Sequence, residues 1–164
     1  MYSPKLSELV APEAIDVLRG AVIDVAERSF FTPADASADD GLPDLGSASD
    51  AWLVAAVRFK EAGCAGTVTC MLPHDLSRAL FDAFNGRDPL DPPPSVGELS
   101  DLIGEFANMI CGAWLTRTVD GPAFLLSAPV VRVSARDAAL DASDGPRVMM
   151  SLNDRPLVVA VALA

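Results

Sequence analysis

Glu105 and Asn108 stand three residues apart in Leu99-Ser-Asp-Leu-Ile-Gly-Glu-Phe-Ala-Asn-Met-Ile-Cys-Gly-Ala-Trp-Leu115. The apolar residues Leu99, Leu102, Ile103, Phe106, Ile110, Ala113 and Trp114 recur there at three- and four-residue steps. That spacing predicts a helix from Leu99 to Thr116 with one buried stripe. At about 100° per residue, with Phe106 at the stripe's centre, Glu105 lies roughly 100° away and Asn108 roughly 160° away. Asp101 and Gly112 fall in the same sector. Residues three apart on a helix are neighbours, so a carboxylate and an amide share one exposed face. Such a pair can grip a cation and position a polar group. Gly104 and Gly112 accompany it, and glycine inside a helix costs about 1 kcal/mol against alanine. Two of them suggest that something approaches this backbone closely, which makes Asp101, Gly104, Glu105, Asn108 and Gly112 the candidate site.

Other chemistries lack their residues. His74 is the only histidine, and at a predicted helix start it reads as a surface or turn residue. No Gly-x-Ser-x-Gly elbow supports a serine nucleophile, and no Gly-x4-Gly-Lys-Ser/Thr loop supports a phosphate cradle. One histidine and the scattered Cys64, Cys70 and Cys111 give no paired zinc-ligand spacing. Those cysteines read as small buried residues of a reducing cytosol. The acids between Thr32 and Asp50 lack the Asp-x-Asp-x-Asp-Gly order of a calcium loop. No metal site is expected in this chain.

The 164 residues are 51% hydrophobic, enough for one stable domain over 1–164. Formal net charge is −11, from 23 acidic and 12 basic residues. A surface so charged repels a phosphate backbone, and no Lys/Arg cluster offsets it, so nucleic acid and anionic membrane are poor partners. With no signal-peptide pattern and no apolar run of about 18 residues, a cytoplasmic protein is expected.

The surrounding elements follow from periodicity. Pro12–Arg28 reads as a helix with Ala14, Ile15, Leu18, Ala21, Val22 and Val25 inward, its proline and Glu13 suited to the first turn. Thr32–Asp50 reads as an exposed loop. Ala51–Phe59 and Gly66–Leu72 read as strands joined through Glu61-Ala-Gly63. Pro73-His74-Asp75 opens a helix to about Asn85, with Leu76, Leu80, Phe81 and Phe84 inward and Gly86 as a left-handed cap. A proline-rich connector, Asp88–Ser95, leads to the central helix, where Ser95 and Glu98 form a capping box. Glu98 therefore has a structural task, whereas Glu105 has none. Beyond a turn at Asp120-Gly121-Pro122, Ala123–Val133 reads as a strand. Phe124, Leu126, Val130, Val131 and Val133 are expected to face the core, and Pro129 marks a bulge or edge. Ser134–Pro146 reads as an exposed loop. Arg147–Leu152 and Pro156–Leu163 pair through Asn153-Asp154-Arg155. Hairpin-linked strands with helices interspersed predict an α+β fold, an antiparallel β-sheet with helices packed on it.

Gly104-Glu-Phe-Ala-Asn-Met-Ile-Cys-Gly112 closely resembles the Glu-x-x-Asn helix of the CheX branch of the CheC/CheX/FliY chemotaxis phosphatases. So does its setting, from hairpin and short helix through to the strand with Leu-Ser-Ala-Pro-Val-Val at 126 to 131. The resemblance runs from about Pro12 to Leu163 and is carried mainly by residues 101 to 131. It implies a CheC/CheX-like fold and hydrolysis of the aspartyl phosphate of a CheY-like response regulator. Glu105 would then bind the regulator's active-site lysine, and Asn108 would enter its active site. The regulator would supply its own Mg²⁺, leaving this chain without a cofactor. Some relatives carry a second Glu-x-x-Asn on their first helix; here the comparable residues are Glu13 and Asp16, so one active centre is expected. A homodimer joined through the sheets is implied by the same likeness, and the apolar hairpin Arg147–Ala164 is compatible with edge pairing.

Taken alone, the spacing also describes a plain solvated helix face. A module of this fold that binds a response regulator or a flagellar-motor partner without catalysis is the second reading.

Overall fold

The computed structural model describes residues 6–35, 43–61, 63–119 and 124–164. The expected turn at Asp120-Gly121-Pro122 lies outside them, as does part of the Thr32–Asp50 segment. The helices are α1 (Leu6–Leu9), α2 (Pro12–Asp24), α3 (His74–Asn85), α4 (Val96–Thr118) and α5 (Arg136–Leu140). The strands are β1 (Ala34–Asp35), β2 (Ala51–Glu61), β3 (Cys64–Pro73), β4 (Leu125–Leu126), β5 (Val130–Ala135), β6 (Arg147–Leu152) and β7 (Arg155–Leu163).

All seven strands join one sheet in the order β1-β6-β7-β3-β2-β4, with β5 also on β2. Every pairing is antiparallel. This is the α+β architecture the hairpin pattern predicts. The β6–β7 hairpin turns on Asn153 and Asp154 at φ 49° and 62°, the left-handed pair that matches the twist of two antiparallel strands. Gly86 caps α3 at φ 60°, as expected of an Asn-Gly stop.

Alternation sorts the strand residues onto two faces. Leu53, Ala55, Val57 and Phe59 of β2, Val68, Cys70 and Leu72 of β3, and Leu157, Val159 and Val161 of β7 face α2, α3 and α4 and build the main core. Trp52, Val54, Met71, Val158 and Ala160 form a smaller cluster on the opposite face. The structure corrects one expected exposed loop and part of another, whose described residues 46–50 are exposed as expected. The segment from Ser134 to Pro146 contains α5, whose Ala139 is fully buried in that smaller cluster. From the Thr32–Asp50 segment, Ala34–Asp35 forms a strand on β6 and Leu45 packs on the second cluster. A five-residue helix is too short to show a 3.6-residue period, so only the face it covers reveals it.

The first helix also ends differently from its expected α-helical run to Arg28. Val25–Ser29 widens into a π-turn, closed by Phe30 N–H donating to Val25 O at 3.3 Å. The wider turn carries Phe30 into the core, edge-on to Phe106 with ring centroids 5.0 Å apart. Phe84, expected inward, stays 45% exposed although its ring lies 5.2 Å from that of Phe30.

Candidate functional site

The central helix begins earlier than Leu99 because Ser95 caps it. Ser95 Oγ accepts from Glu98 N–H at 3.1 Å, and Glu98 Oε2 accepts from Ser95 N–H at 2.7 Å. The hydrogen bond from the Ser95 backbone, reinforced by the Ser95 side chain, holds the Glu98 carboxyl below the usual carboxylate range. The capping box thus fixes where the helix starts, and with it the phase of every later residue.

Anchors at the other end fix its position on the sheet. The Trp114 indole N–H donates to Ala14 O at 2.9 Å, and Arg117 pairs with Asp24 at 2.6 Å, tying α4 to α2. Phe59 stacks edge-on to Trp114 at 5.8 Å. The buried stripe contains the expected Leu99, Leu102, Ile103, Phe106, Ile110 and Trp114, and adds Gly104, Ala107, Cys111 and Leu115. Ala113 is partly buried beside it.

Asp101 and Glu105 are exposed and Asn108 is half-buried. None of the three side chains forms a hydrogen bond or ion pair with a described residue. Both Glu105 and Asn108 therefore keep their polar atoms available on the outward side of α4, and neither lies in the core. Local packing gives neither of them a task.

The two glycines divide. Gly112, half-buried, would place a Cβ at ordinary contact with Leu126, 3.9 Å from its Cδ1. Gly104 is not on the exposed face. It is buried, and a Cβ there would meet Pro129 Cγ at 3.0 Å, Pro129 Cβ at 3.3 Å and Val131 Cγ2 at 3.4 Å. What approaches the Gly104 backbone is this chain's own edge strand, which corrects the expectation that Gly104 meets a partner.

That strand is interrupted as Pro129 predicts. Phe59 faces Leu126 and Ala56 faces Val130, so residues 127–129 oppose only Val57 and Arg58, a bulge of one extra residue. Ser127 holds it to β2, its N–H donating to Arg58 O at 2.8 Å and its Oγ accepting from Arg58 N–H at 3.0 Å. Gly104, Asn108 and Gly112 follow one another at four-residue steps and form one ridge of the helix. Pro129 lies over one end of that ridge and Leu126 over the other. Asn108 stands between them on that ridge and is half-buried. The residues 126–129 thus border the candidate face, a placement that sequence reasoning did not assign, although Pro129 signalled the irregularity.

Rival groups stand apart from this face. Cys70 and Cys111 are fully buried, and burial pushes the Cys111 thiol up to about 12. Cys70 rises too, through burial and the neighbouring Cys111. Cys64 is also buried and free. Such thiols stay protonated and unreactive. His74 is exposed at the start of α3, beside a cavity of about 590 Å³ bordered by Asp44, Asp50 and Arg155. Among the described residues, no group of three or more His, Cys, Asp or Glu is placed to hold a metal ion. No helix among them is long and apolar enough to cross a membrane.

No protein-family model and no curated protein matches the sequence. Solved structures match its fold. The chemotaxis protein CheX from Vibrio vulnificus superposes with a TM-score of 0.64 at 14% identity, over 93% of this chain and 97% of that one. CheX from Borrelia burgdorferi, solved in complex with CheY, BeF3 and Mg²⁺, gives 0.60 at 12% identity over 92% and 97%. FliY from Thermotoga maritima gives 0.58 at 15% identity over 93% and 91%. The chain has the fold of the CheX, CheC-like and FliY proteins.

Proposed function

We propose that this chain is a CheX-like member of the CheC/CheX/FliY group, a single domain over 1–164 that hydrolyses the aspartyl phosphate of a CheY-like response regulator in the cytoplasm. The observation that carries the reading is the outward pair on α4. Glu105 and Asn108 are three residues apart and neither side chain is bonded to a described residue, in a chain that shares its fold with CheX proteins. The Borrelia burgdorferi CheX bound to CheY supports a response regulator as the partner.

The residue types suit the reaction. An aspartyl phosphate is already a reactive acyl phosphate, so catalysis reduces to holding a water in line with phosphorus. The regulator's own Mg²⁺ neutralises the phosphoryl oxygens, and this chain adds no cofactor. Asn108 can donate to one oxygen and accept from the water without bringing negative charge to the phosphoryl group. Glu105 pairs with the regulator's active-site lysine and sets the orientation of docking. Asp101, one turn before Glu105, extends the acidic docking face, and Gly112 keeps it low beside Asn108. We also propose a homodimer through sheet edges. In the terminal hairpin β7 is interior, between β6 and β3, while β6 takes β1 only at Ser151 and Leu152, and among the described residues β5 has a strand on one side only.

A time course of dephosphorylation of a phosphorylated CheY-like regulator tests the reading. The wild-type chain should shorten the phosphoryl lifetime, and Asn108→Ala should abolish that acceleration while still binding. Binding without acceleration by the wild type would instead leave a non-catalytic regulator-binding module.

A further inference from the structure

Among the described residues, the sheet face opposite the helices is covered at one end only. Trp52, Val54, Met71 and Val158 lie under α5 and Leu45. Farther along, the same face presents Ala56, Arg58 and Lys60 of β2. Directly opposed antiparallel residues share a face. Arg132 opposes Val54, Val130 opposes Ala56 and Leu125 opposes Lys60. Arg58, Lys60 and Arg132 are exposed, and none has an ion pair with a described residue. Val130 is 65% exposed and Leu125 is 77% exposed. A cavity of about 380 Å³ opens between Arg58, Lys60, Thr67, Leu125 and Ser127.

In a chain of net charge −11, this face gathers three cations without acidic partners among the described residues. They alternate with apolar side chains rather than forming a uniform basic patch. From the Arg132–Val54 rung to the Leu125–Lys60 rung is six residues of β2, or about 20 Å of strand. A helix of about 14 residues spans that length. We infer that this open end of the sheet docks an acidic amphipathic helix of a partner protein, whose apolar stripe covers Val130 and Leu125 and whose carboxylates reach Arg58, Lys60 and Arg132. A second copy fits worse. A two-fold axis on this face would set the basic patch against its own copy, and like charges in juxtaposition oppose association. The face lies on the far side of the sheet from α4, so its occupant leaves Glu105 and Asn108 accessible.

The probe is a blocked synthetic helix of about 14 residues built from Leu and Glu, titrated into the full chain by fluorescence anisotropy and mapped by amide chemical shifts. Shifts should cluster at Arg58–Lys60, Leu125 and Val130–Arg132. Arg58→Glu with Lys60→Glu should weaken binding about tenfold or more, and the Gln pair by less, with circular dichroism unchanged. Leu125→Asp should weaken it severalfold, while Glu105→Ala should leave it unaltered. Four results of the titration would overturn the inference: no binding, shifts confined to other surfaces, equal binding of the Leu/Lys helix, or equal binding of polyglutamate of the same length. Concentration-dependent self-association of the chain, abolished by Arg58→Glu, would overturn it in favour of a second copy.

Discussion

α2 and α4 each carry a glutamate three residues before a short polar side chain, Glu13 with Asp16 and Glu105 with Asn108. Each also has a glycine four residues from the second member, Gly20 on α2 and both Gly104 and Gly112 on α4. The environments differ. Glu13 sits in the first turn, where a carboxylate complements the helix's partial positive charge. Glu105 sits mid-helix, where that benefit is gone. A Cβ on Gly20 would meet nothing within 4 Å, whereas one on Gly104 would press into Pro129 and Val131. Among the described residues, only α4 has a bulged strand drawn against its backbone, at Gly104 one turn before Asn108. Equal spacing on two helices thus yields a half-buried amide on one and an exposed carboxylate on the other. The side-chain identity agrees, since a second carboxylate would repel a phosphoryl group where an amide would not.

Substitutions can break that comparison. The largest effect should come from Asn108→Ala, which removes the water-positioning amide; the dephosphorylation rate at saturating chain should fall about 10²-fold with binding intact. Asn108→Asp should lose at least as much, and a retained rate in it would mean that the bulged strand matters more than the amide. Glu105→Ala should act on docking, raising KM for the phosphorylated regulator about tenfold and weakening the salt dependence of association, with kcat nearly unchanged.

Stability separates the glycines. Gly104→Ala gains about 1 kcal/mol of helix propensity and meets an overpacking cost of about 1–3 kcal/mol against the Pro129 ring. Its net effect should be a loss of about 1 kcal/mol and a lower Tm by thermal melt. Gly20→Ala has no such contact and should instead stabilise by up to about 1 kcal/mol. If both substitutions raise Tm equally, the edge strand does not press on α4. The smallest effect should be that of Asp16→Asn. It gives α2 the Glu-x-x-Asn spacing, yet turnover in the Asn108→Ala background should stay at the unaccelerated level, because among the described residues no bulged strand lies against that helix.

Much of the local structure is legible in short-range pattern. The Ser95–Glu98 box, the Gly86 cap, the paired strands β2 and β3, and the stripe from Leu99 to Trp114 all follow from contacts within a turn or a hairpin. The strand after α4 shows where that reasoning stops. Phe124, Leu126, Val130, Val131 and Val133 were expected to share one face, although they mix even and odd positions. The one-residue bulge shifts the parity, so Leu126, Val131 and Val133 oppose Phe59, Ala55 and Leu53 on the helix side. Val130 turns to the opposite face, 65% exposed, and Val133 remains 49% exposed on the helix side. A shift of one residue exchanges every later side chain between faces, and its size depends on which β2 residues the strand finds.

The same division applies to the site. The sequence alone determined that Glu105 and Asn108 share a helix face outside the apolar stripe, because helical phase is a property of consecutive residues. Only the tertiary structure decided that Gly104 belongs to the core and Gly112 to the border, and that Pro129 and Leu126 lie against the ridge that carries Asn108. Those facts depend on a strand that folds back from beyond the helix, and on a bulge set by its pairing with β2, neither of which is encoded within the helix itself.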